Sequence, residues 1–395
     1  MLDLGRTFLQ SVDRAAAATA LVDGALRLSW FEWARAIGGV QRGLAALGLR
    51  PGDHVLGVLQ NRHEAATLHW ACQFAGLVMT PLNWRAKPEE IDYALGDSGA
   101  KLLVYEAVSQ EAVSQSLLAR AVVRITVGDV AGDDPRFAQA FAELADPTPL
   151  ARAEDLSLML YTSGTTGAPK GVPRRQRAER VAALAHVAQN RYGYGERTLG
   201  VMPLYHTMGV RSLLTMALVD GRFVCMPRFD AAAALRASET ERVSHLYLVP
   251  TLYHDLLSHP EFKRTDTQSV RKLGFAGAPM HDALLLRLQQ ASRADVLPAY
   301  DEALLRRELQ LFPDWYLGQH KGAVLDDRER QTLQSALDQI VRINLAAPQV
   351  FVHRDFMPRN LMAPGSAAPA GAQDRARVLG VLDFQDAVYG PITYD

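Results

Sequence analysis

Cysteine is almost missing from this 395-residue sequence: Cys72 and Cys225 are the two present, far apart and each inside an apolar stretch. So few thiols exclude a disulfide framework and a cysteine-based zinc site, and the usage fits a reducing compartment. An excess of either charge is missing too. The 42 Lys+Arg balance 43 Asp+Glu, and no Lys/Arg block is long enough to track a phosphate backbone, so nucleic acid is not an expected partner. Long apolar runs are also absent. Nothing reaches membrane-spanning length, and Asp3, Arg6, Asp13 and Arg14 interrupt the stretch where a signal-peptide core would lie. The expectation is a cytoplasmic protein with no membrane partner.

What is present reads as globular: 48% hydrophobic and 22% charged residues, in a chain long enough for one large domain and a companion. Helix-period spacing over Trp30 to Leu47 is followed by the turn Pro51-Gly52-Asp53 and a buried-strand run, His54 to Leu59. Helices over Ala65 to Leu77 and Pro88 to Gly96 and a strand over Lys101 to Tyr105 continue a βαβ rhythm, the mark of an α/β domain with layered, mostly parallel sheets. The rhythm extends through a strand at Ser157 to Tyr161, a helix from about Arg177 to Gln189, and strands near Leu199 to Met202 and Phe223 to Met226. After about residue 290 the character changes. Glu302 to Phe312 and Arg328 to Ile343 read as charged amphipathic helices, with a strand at Val350 to Val352 and an Ala/Pro/Gly loop over Ala363 to Ala376.

The strongest local signal is Tyr161-Thr162-Ser163-Gly164-Thr165-Thr166-Gly167-Ala168-Pro169-Lys170-Gly171, directly after a strand. Glycines let the backbone bring N–H groups close to an anion, the hydroxyl residues add donors, and Lys170 supplies a point charge for a polyphosphate. It is not a Walker A loop, since no Gly-Lys-Ser/Thr follows. His63-Glu64 with His69 does not make a zincin helix, because the second histidine falls six residues after the first, well round the helix.

Together with Met202-Pro203-Leu204-Tyr205-His206 and Phe275-Ala276-Gly277-Ala278-Pro279, this loop resembles the adenylate-forming enzymes: acyl- and aryl-CoA ligases, luciferases and peptide-synthetase adenylation domains. The resemblance covers about residues 1–291, and the wording around Val201 to Val210 and Arg174 to Ala183 looks most like benzoate and halobenzoate CoA ligases. It implies a two-step reaction in which a carboxylate attacks the α-phosphorus of ATP and the thiol of CoA then displaces AMP. It also implies roles: Thr162, Ser163, Gly164, Thr165, Thr166, Gly167 and Lys170 at the β/γ-phosphates, His206 as a catalytic-site residue at the carboxylate, and Gly277, Ala278 and Pro279 flanking the adenine or acid. Mg²⁺ would accompany the nucleotide.

That family continues into a Tyr-Gly-x-Thr-Glu motif, a ribose-binding Asp and a small lysine-bearing domain. Here the matching stretch is Leu297-Pro298-Ala299-Tyr300-Asp301-Glu302, so Glu302 is a degenerate counterpart of the metal-serving Glu, and the small domain is expected to be lacking. In its place stand His353-Arg354-Asp355, with Asn360 five residues after the Asp, and a strand ending in Asp383-Phe384. This is a phosphotransferase arrangement. Residues 296–395 resemble a mainly helical C-lobe of the aminoglycoside phosphotransferase superfamily, closest to its amino-sugar kinases, with the ATP-holding N-lobe expected to be lacking. The resemblance implies Asp355 as catalytic base and Asn360 and Asp383 as Mg²⁺ ligands. Three readings stay open: activation of a carboxylic, aromatic acid; phosphorylation of an amino sugar; and an inactive mosaic of two partial enzymes.

Overall fold

The computed structural model describes residues 2–162, 169–278, 280, 284, 287–288, 301–347, 349–352, 361–362, 380–381 and 388–391. The chain forms two compact units, Met1–Leu248 with His259–Leu273, and Val249–Ser258 with Gly274–Asp395.

The first unit opens with α1 (Leu4–Ala15), the antiparallel pair β1 (Thr19–Asp23) and β2 (Leu26–Ser29), and α2 (Trp30–Ala46). Then follow β3 (His54–Val58), α3 (His63–Ala75), β4 (Val78–Leu82), α4 (Pro88–Ser98), β5 (Leu102–Glu106), α5 (Gln110–Gln115), β6 (Val123–Val127) and α6 (Phe137–Ala140). A hairpin of β7 (Leu156–Thr162) and β8 (Lys170–Arg175) leads into α7 (Gln176–Gln189), β9 (Arg197–Gly200), α8 (Thr207–Met216) and β10 (Arg222–Cys225). The first unit continues with α9 (Ala231–Thr240) and β11 (His245–Leu248); α10 (Pro250–Ser258) belongs to the second unit, and β12 (Lys272–Phe275) has residues in each.

These strands make two six-stranded sheets, ordered β6-β5-β3-β4-β7-β8 and β12-β11-β9-β10-β1-β2. In the first, β3, β4, β5, β6 and β7 run parallel, and β8 is added antiparallel at the edge. In the second, β1, β10, β9 and β11 are parallel neighbours. Parallel strands need helical crossovers that cover both faces, which is why β3 and β5 read as unbroken apolar runs rather than alternating ones.

An aromatic cluster organises the helices α1, α2 and α3. The ring of Phe8 lies 4.9 Å from Trp30, 5.2 Å from Trp33 and 4.9 Å from Trp70, all edge to face, and all four rings are buried. Each large ring removes apolar area from water and adds oriented ring contacts. The start of α2 is set by sequence: Ser29 Oγ accepts from the Glu32 amide at 3.2 Å while Glu32 Oε2 accepts from the Ser29 amide at 2.9 Å, a reciprocal cap.

Most expected elements are present within two residues of their anticipated bounds. β9 differs in a telling way. It ends at Gly200 rather than Met202, because the carbonyls of Gly200 and Met202 both accept from the Asn61 side chain, at 2.8 and 2.7 Å, and leave the ladder.

The described part of the second unit carries the helices Glu302–Leu309 and Asp327–Ala346, joined by an ion pair of Arg306 with Asp338 at 2.6 Å. The sequence pattern carries the first of these helices to Phe312; instead it ends at Leu309, and a π-helical stretch, Phe312–His320, takes over where Pro313 supplies no N–H for an α-helical bond. Two short antiparallel pairs follow, Gln349–Val352 with Val388–Pro391 and Leu361–Met362 with Gly380–Val381.

Candidate active site

The glycine- and hydroxyl-rich loop is held at its base by the β7–β8 hairpin, in which Thr162 is the register partner of Lys170. Two phenols from neighbouring positions clamp that base. Tyr161 donates to Asp97 Oδ2 at 2.8 Å, Tyr93 donates to the Pro169 carbonyl at 2.7 Å, and the two rings meet edge to face at 6.0 Å. Burial, and then the bond to Asp97, push the Tyr161 phenol well above its usual range, so it stays a neutral donor. Lys170 is exposed and makes no ion pair among the described residues, leaving its ammonium available for an anion. Ser163, Gly164, Thr165, Thr166 and Gly167 lie outside the described residues.

His206 sits at the other end of a segment fixed by one buried amide. Besides its two donor bonds, Asn61 accepts from the Leu204 amide at 3.0 Å, so a single side chain following β3 sets the path from β9 to His206. His206 is the residue before α8, and its own amide donates to Pro203 O at 2.9 Å. The first turn of α8 then presses directly onto that segment. A Cβ on Gly209 would come within 2.1 Å of Pro203 O, so only glycine fits. Partial burial lowers the His206 pKa, which leaves the ring neutral at pH 7.

Arg174, from the far end of β8, ties the two parts together. Its guanidinium donates to Thr207 Oγ1 at 2.8 Å and pairs with buried Glu179 at 3.3 Å. Nearby, exposed Arg85 stacks on the buried indole of Trp84 at 3.9 Å, with Arg228 5.8 Å from the same ring.

Sequence reasoning did not single out Asn61, Arg174, Tyr93 or Arg85. A polar residue straight after a strand of a parallel sheet was the available signal for Asn61, since the carboxyl ends of such strands border ligand crevices.

Of the other expected site residues, Gly277 (φ +86°) and Ala278 are exposed in the second unit, and Pro279 lies outside the described residues. Glu302 begins the helix Glu302–Leu309, where its carboxylate accepts from Arg306 Nε at 2.8 Å. Asp355, Asn360 and Asp383 lie outside the described residues.

Among the described residues, Asp23, His63 and Glu64 are the group whose donor atoms all come within 4.8 Å of one another. His63 already bridges both carboxylates, at 3.1 and 3.0 Å, and its amide donates to Asp23 at 2.9 Å. The cluster sits at the start of α3, where His63 hydrogen-bonds Asp23 and Glu64 Oε2 is buried without a hydrogen-bond partner. His69 is fully buried deeper in the same helix.

Burial holds both His69 and His186 down to about 4, the second with added repulsion from His245 and Arg211. These rings are neutral in the fold, while the unfolded chain binds their protons at about pH 6.5. Stability from them is therefore complete above pH 6.5 and falls as the pH drops toward 4, by about 1.4 kcal/mol per pH unit for each ring. Chemical denaturation across that window checks this; a flat profile between pH 6.5 and 4.5 would contradict it.

The family model described as AMP-binding enzyme matches residues 8–300. The chain belongs to that family. A second model, phosphotransferase enzyme family, matches residues 226–395. A feruloyl-CoA synthase of an Amycolatopsis species is 33% identical over 266 residues, 67% of this chain and 52% of that protein. An N-acetylmuramate/N-acetylglucosamine kinase of Pseudomonas aeruginosa is 42% identical over 189 residues, 47% of this chain and 52% of that protein. The inhibitor-bound N-terminal domain of FACL13 from Mycobacterium tuberculosis superposes with a TM-score of 0.67 at 26% identity, over 73% of each chain. The chain thus spans about half the length of the curated relatives it matches. The hairpin loop and His206 each follow the carboxyl end of a parallel strand, β7 in the first sheet and β9 in the second. No helix among the described residues is long and apolar enough to cross a membrane.

Proposed function

We propose that this chain activates an aromatic carboxylic acid with ATP, giving an acyl-adenylate and pyrophosphate, and that residues 1–291 carry this chemistry. The observation that supports it best is the clamped β7–β8 hairpin, which presents an unpaired Lys170 beside the phosphate-type loop. In this reading Thr162 to Gly167 and Lys170 hold the β/γ-phosphates of Mg-ATP, and Lys170 neutralises charge that builds on the leaving pyrophosphate. A substrate carboxylate oxygen forms the bond to the α-phosphorus as the bond to pyrophosphate breaks. His206, neutral, orients that carboxylate by a hydrogen bond without quenching it as an ion pair would. Gly277, Ala278 and Pro279 flank the adenine or the acid. Arg85 and Arg228 form a cationic rim suited to the phosphates of ATP or of CoA, whose thiol would displace AMP in the second step.

The phosphotransferase match over residues 226–395 supports a second reading, in which residues 296–395 phosphorylate an amino sugar with Asp355 as base and Asn360 and Asp383 as Mg²⁺ ligands. One experiment separates them: incubate the chain with Mg-ATP and either aryl acids or amino sugars, and identify the nucleotide product. Acid-dependent AMP and pyrophosphate are the expected result. Sugar-dependent ADP would move the activity to Asp355, and neither product would leave an inactive mosaic.

A further inference from the structure

Two carboxylates at the start of α3 converge on one ring nitrogen, which carries at most one hydrogen. His63 Nδ1 lies 3.1 Å from Asp23 Oδ2 and 3.0 Å from Glu64 Oε2, and the Asp23 contact is the one that forms a hydrogen bond. Glu64 Oε2 is left sealed from solvent with nothing to accept. Arg62, the neighbouring cation, is engaged elsewhere, since buried Glu106 accepts from its guanidinium at 2.7 Å. Burial also holds the Glu64 carboxyl above its usual range, the behaviour of a desolvated carboxylate short of a cation.

A fourth group faces the same space from β10. In the parallel pair β1 and β10, Leu21 stands beside Phe223 and Val22 beside Val224, so the next step of the register sets Cys225 beside Asp23. Register neighbours project from the same face of a sheet, and Leu21, Phe223 and Cys225 share one core with Ala65, Ala66 and Leu68 of α3. Cys225 is a free thiol, 7% exposed, with no hydrogen bond or ion pair among the described residues.

The spacing suits a small tetrahedral ion. Donors about 2.0–2.1 Å from a shared tetrahedral centre stand roughly 3.3 Å apart, close to the 3.1 and 3.0 Å found around His63 Nδ1. Asp23, His63 and Glu64 offer donor atoms that all lie within 4.8 Å of one another; the Cys225 sulfur stands outside that group and joins it by rotation about its Cα–Cβ bond. Magnesium and calcium take six or more oxygens, whereas imidazole, thiolate and carboxylate in a set of four are zinc chemistry.

We propose that Asp23, His63, Glu64 and Cys225 form a structural zinc site that fastens the ends of β1 and β10 to the start of α3. On binding, the imidazole carries its hydrogen on Nε2 and turns Nδ1 to the metal, while the thiol proton leaves to solvent, since coordination deprotonates a thiol outright. Zn²⁺ with three anionic donors then leaves one net negative charge beside Arg62. The site does not depend on the adenylation reading. It is not one of the cysteine-built sites that two thiols exclude, and its donors come from three segments, so no spacing in the sequence announces it.

For the test, the full chain is stripped with a chelator and dialysed against zinc chloride without nucleotide, because ATP would compete for the metal. One ion per chain is expected, and the melting temperature should rise with zinc concentration. Glu64→Gln and Cys225→Ser, which keep the shape of each side chain, should both weaken binding by about tenfold or more, the scale on which even residues one step removed from a metal act. His254→Gln, at an exposed His–Asp pair, controls for surface binding and should change nothing. Cobalt in place of zinc should give the strong visible bands of a tetrahedral ion and a near-ultraviolet thiolate band that Cys225→Ser removes. If a variant does not fold, the cobalt spectrum of the unaltered chain carries the test. No bound ion, binding that Glu64→Gln and Cys225→Ser leave unchanged, or cobalt bound without the thiolate band would each overturn the inference.

Discussion

Lys170→Ala is expected to reduce acid-dependent pyrophosphate release by about a hundred- to a thousandfold, the range found when one group stabilising transition-state charge is removed. The melting temperature should not move. Lys170 is exposed at the start of β8, pairs with no described acid, and contributes only its backbone to the hairpin. Its loss removes a charge from the phosphates, not a contact from the core. Lys170→Arg should recover part of the rate. Pyrophosphate release and a thermal melt on the same preparation decide the matter: unchanged release removes Lys170 from the phosphate cradle, and a lowered melt would give it a structural role instead.

Asn61→Ala should act on both stability and rate. The amide of Asn61 is buried and supplies three bonds, to the carbonyls of Gly200 and Met202 and from the Leu204 amide, all at 3.0 Å or less. Alanine strands three backbone groups where water reaches them poorly, at about 1 to 3 kcal/mol each before relaxation. A loss of about 3 kcal/mol by denaturant unfolding is the expected result, with no recovery in Asn61→Asp, whose carboxylate keeps the one acceptor bond but turns an oxygen toward the two carbonyls. The rate should fall further than the folded fraction explains, because the segment that carries His206 loses its anchor. A variant with wild-type stability would show that water replaces the amide fully.

The sequence made the α/β body legible because its signals are local. Apolar runs at β3 and β5, the helix-period spacing of α2, and the phosphate-type loop all declare themselves within short segments. The site was legible only where its residues share a short segment. Thr162 and Lys170 could be paired from one motif, yet Asn61 reaches a segment 139 residues away, and Arg174 meets Thr207 33 residues on. Neither contact leaves a periodic trace. The end of β9 was misplaced for the same reason: Val201 and Met202 are apolar enough for a strand, and a distant amide decided otherwise. Glu302 shows the converse, a residue singled out by motif that an Arg306 one helical turn away engages.

The register pair Thr162 and Lys170, with Tyr93 holding Pro169 from α4, has a consequence for nucleotide affinity. A loop that must first bring its own ends together spends conformational entropy before any phosphate is bound. Here that closure is completed when the sheet folds, so its cost is charged to folding rather than to binding. Affinity for the polyphosphate can then vary with the loop's own donors, independently of the distance its ends must span.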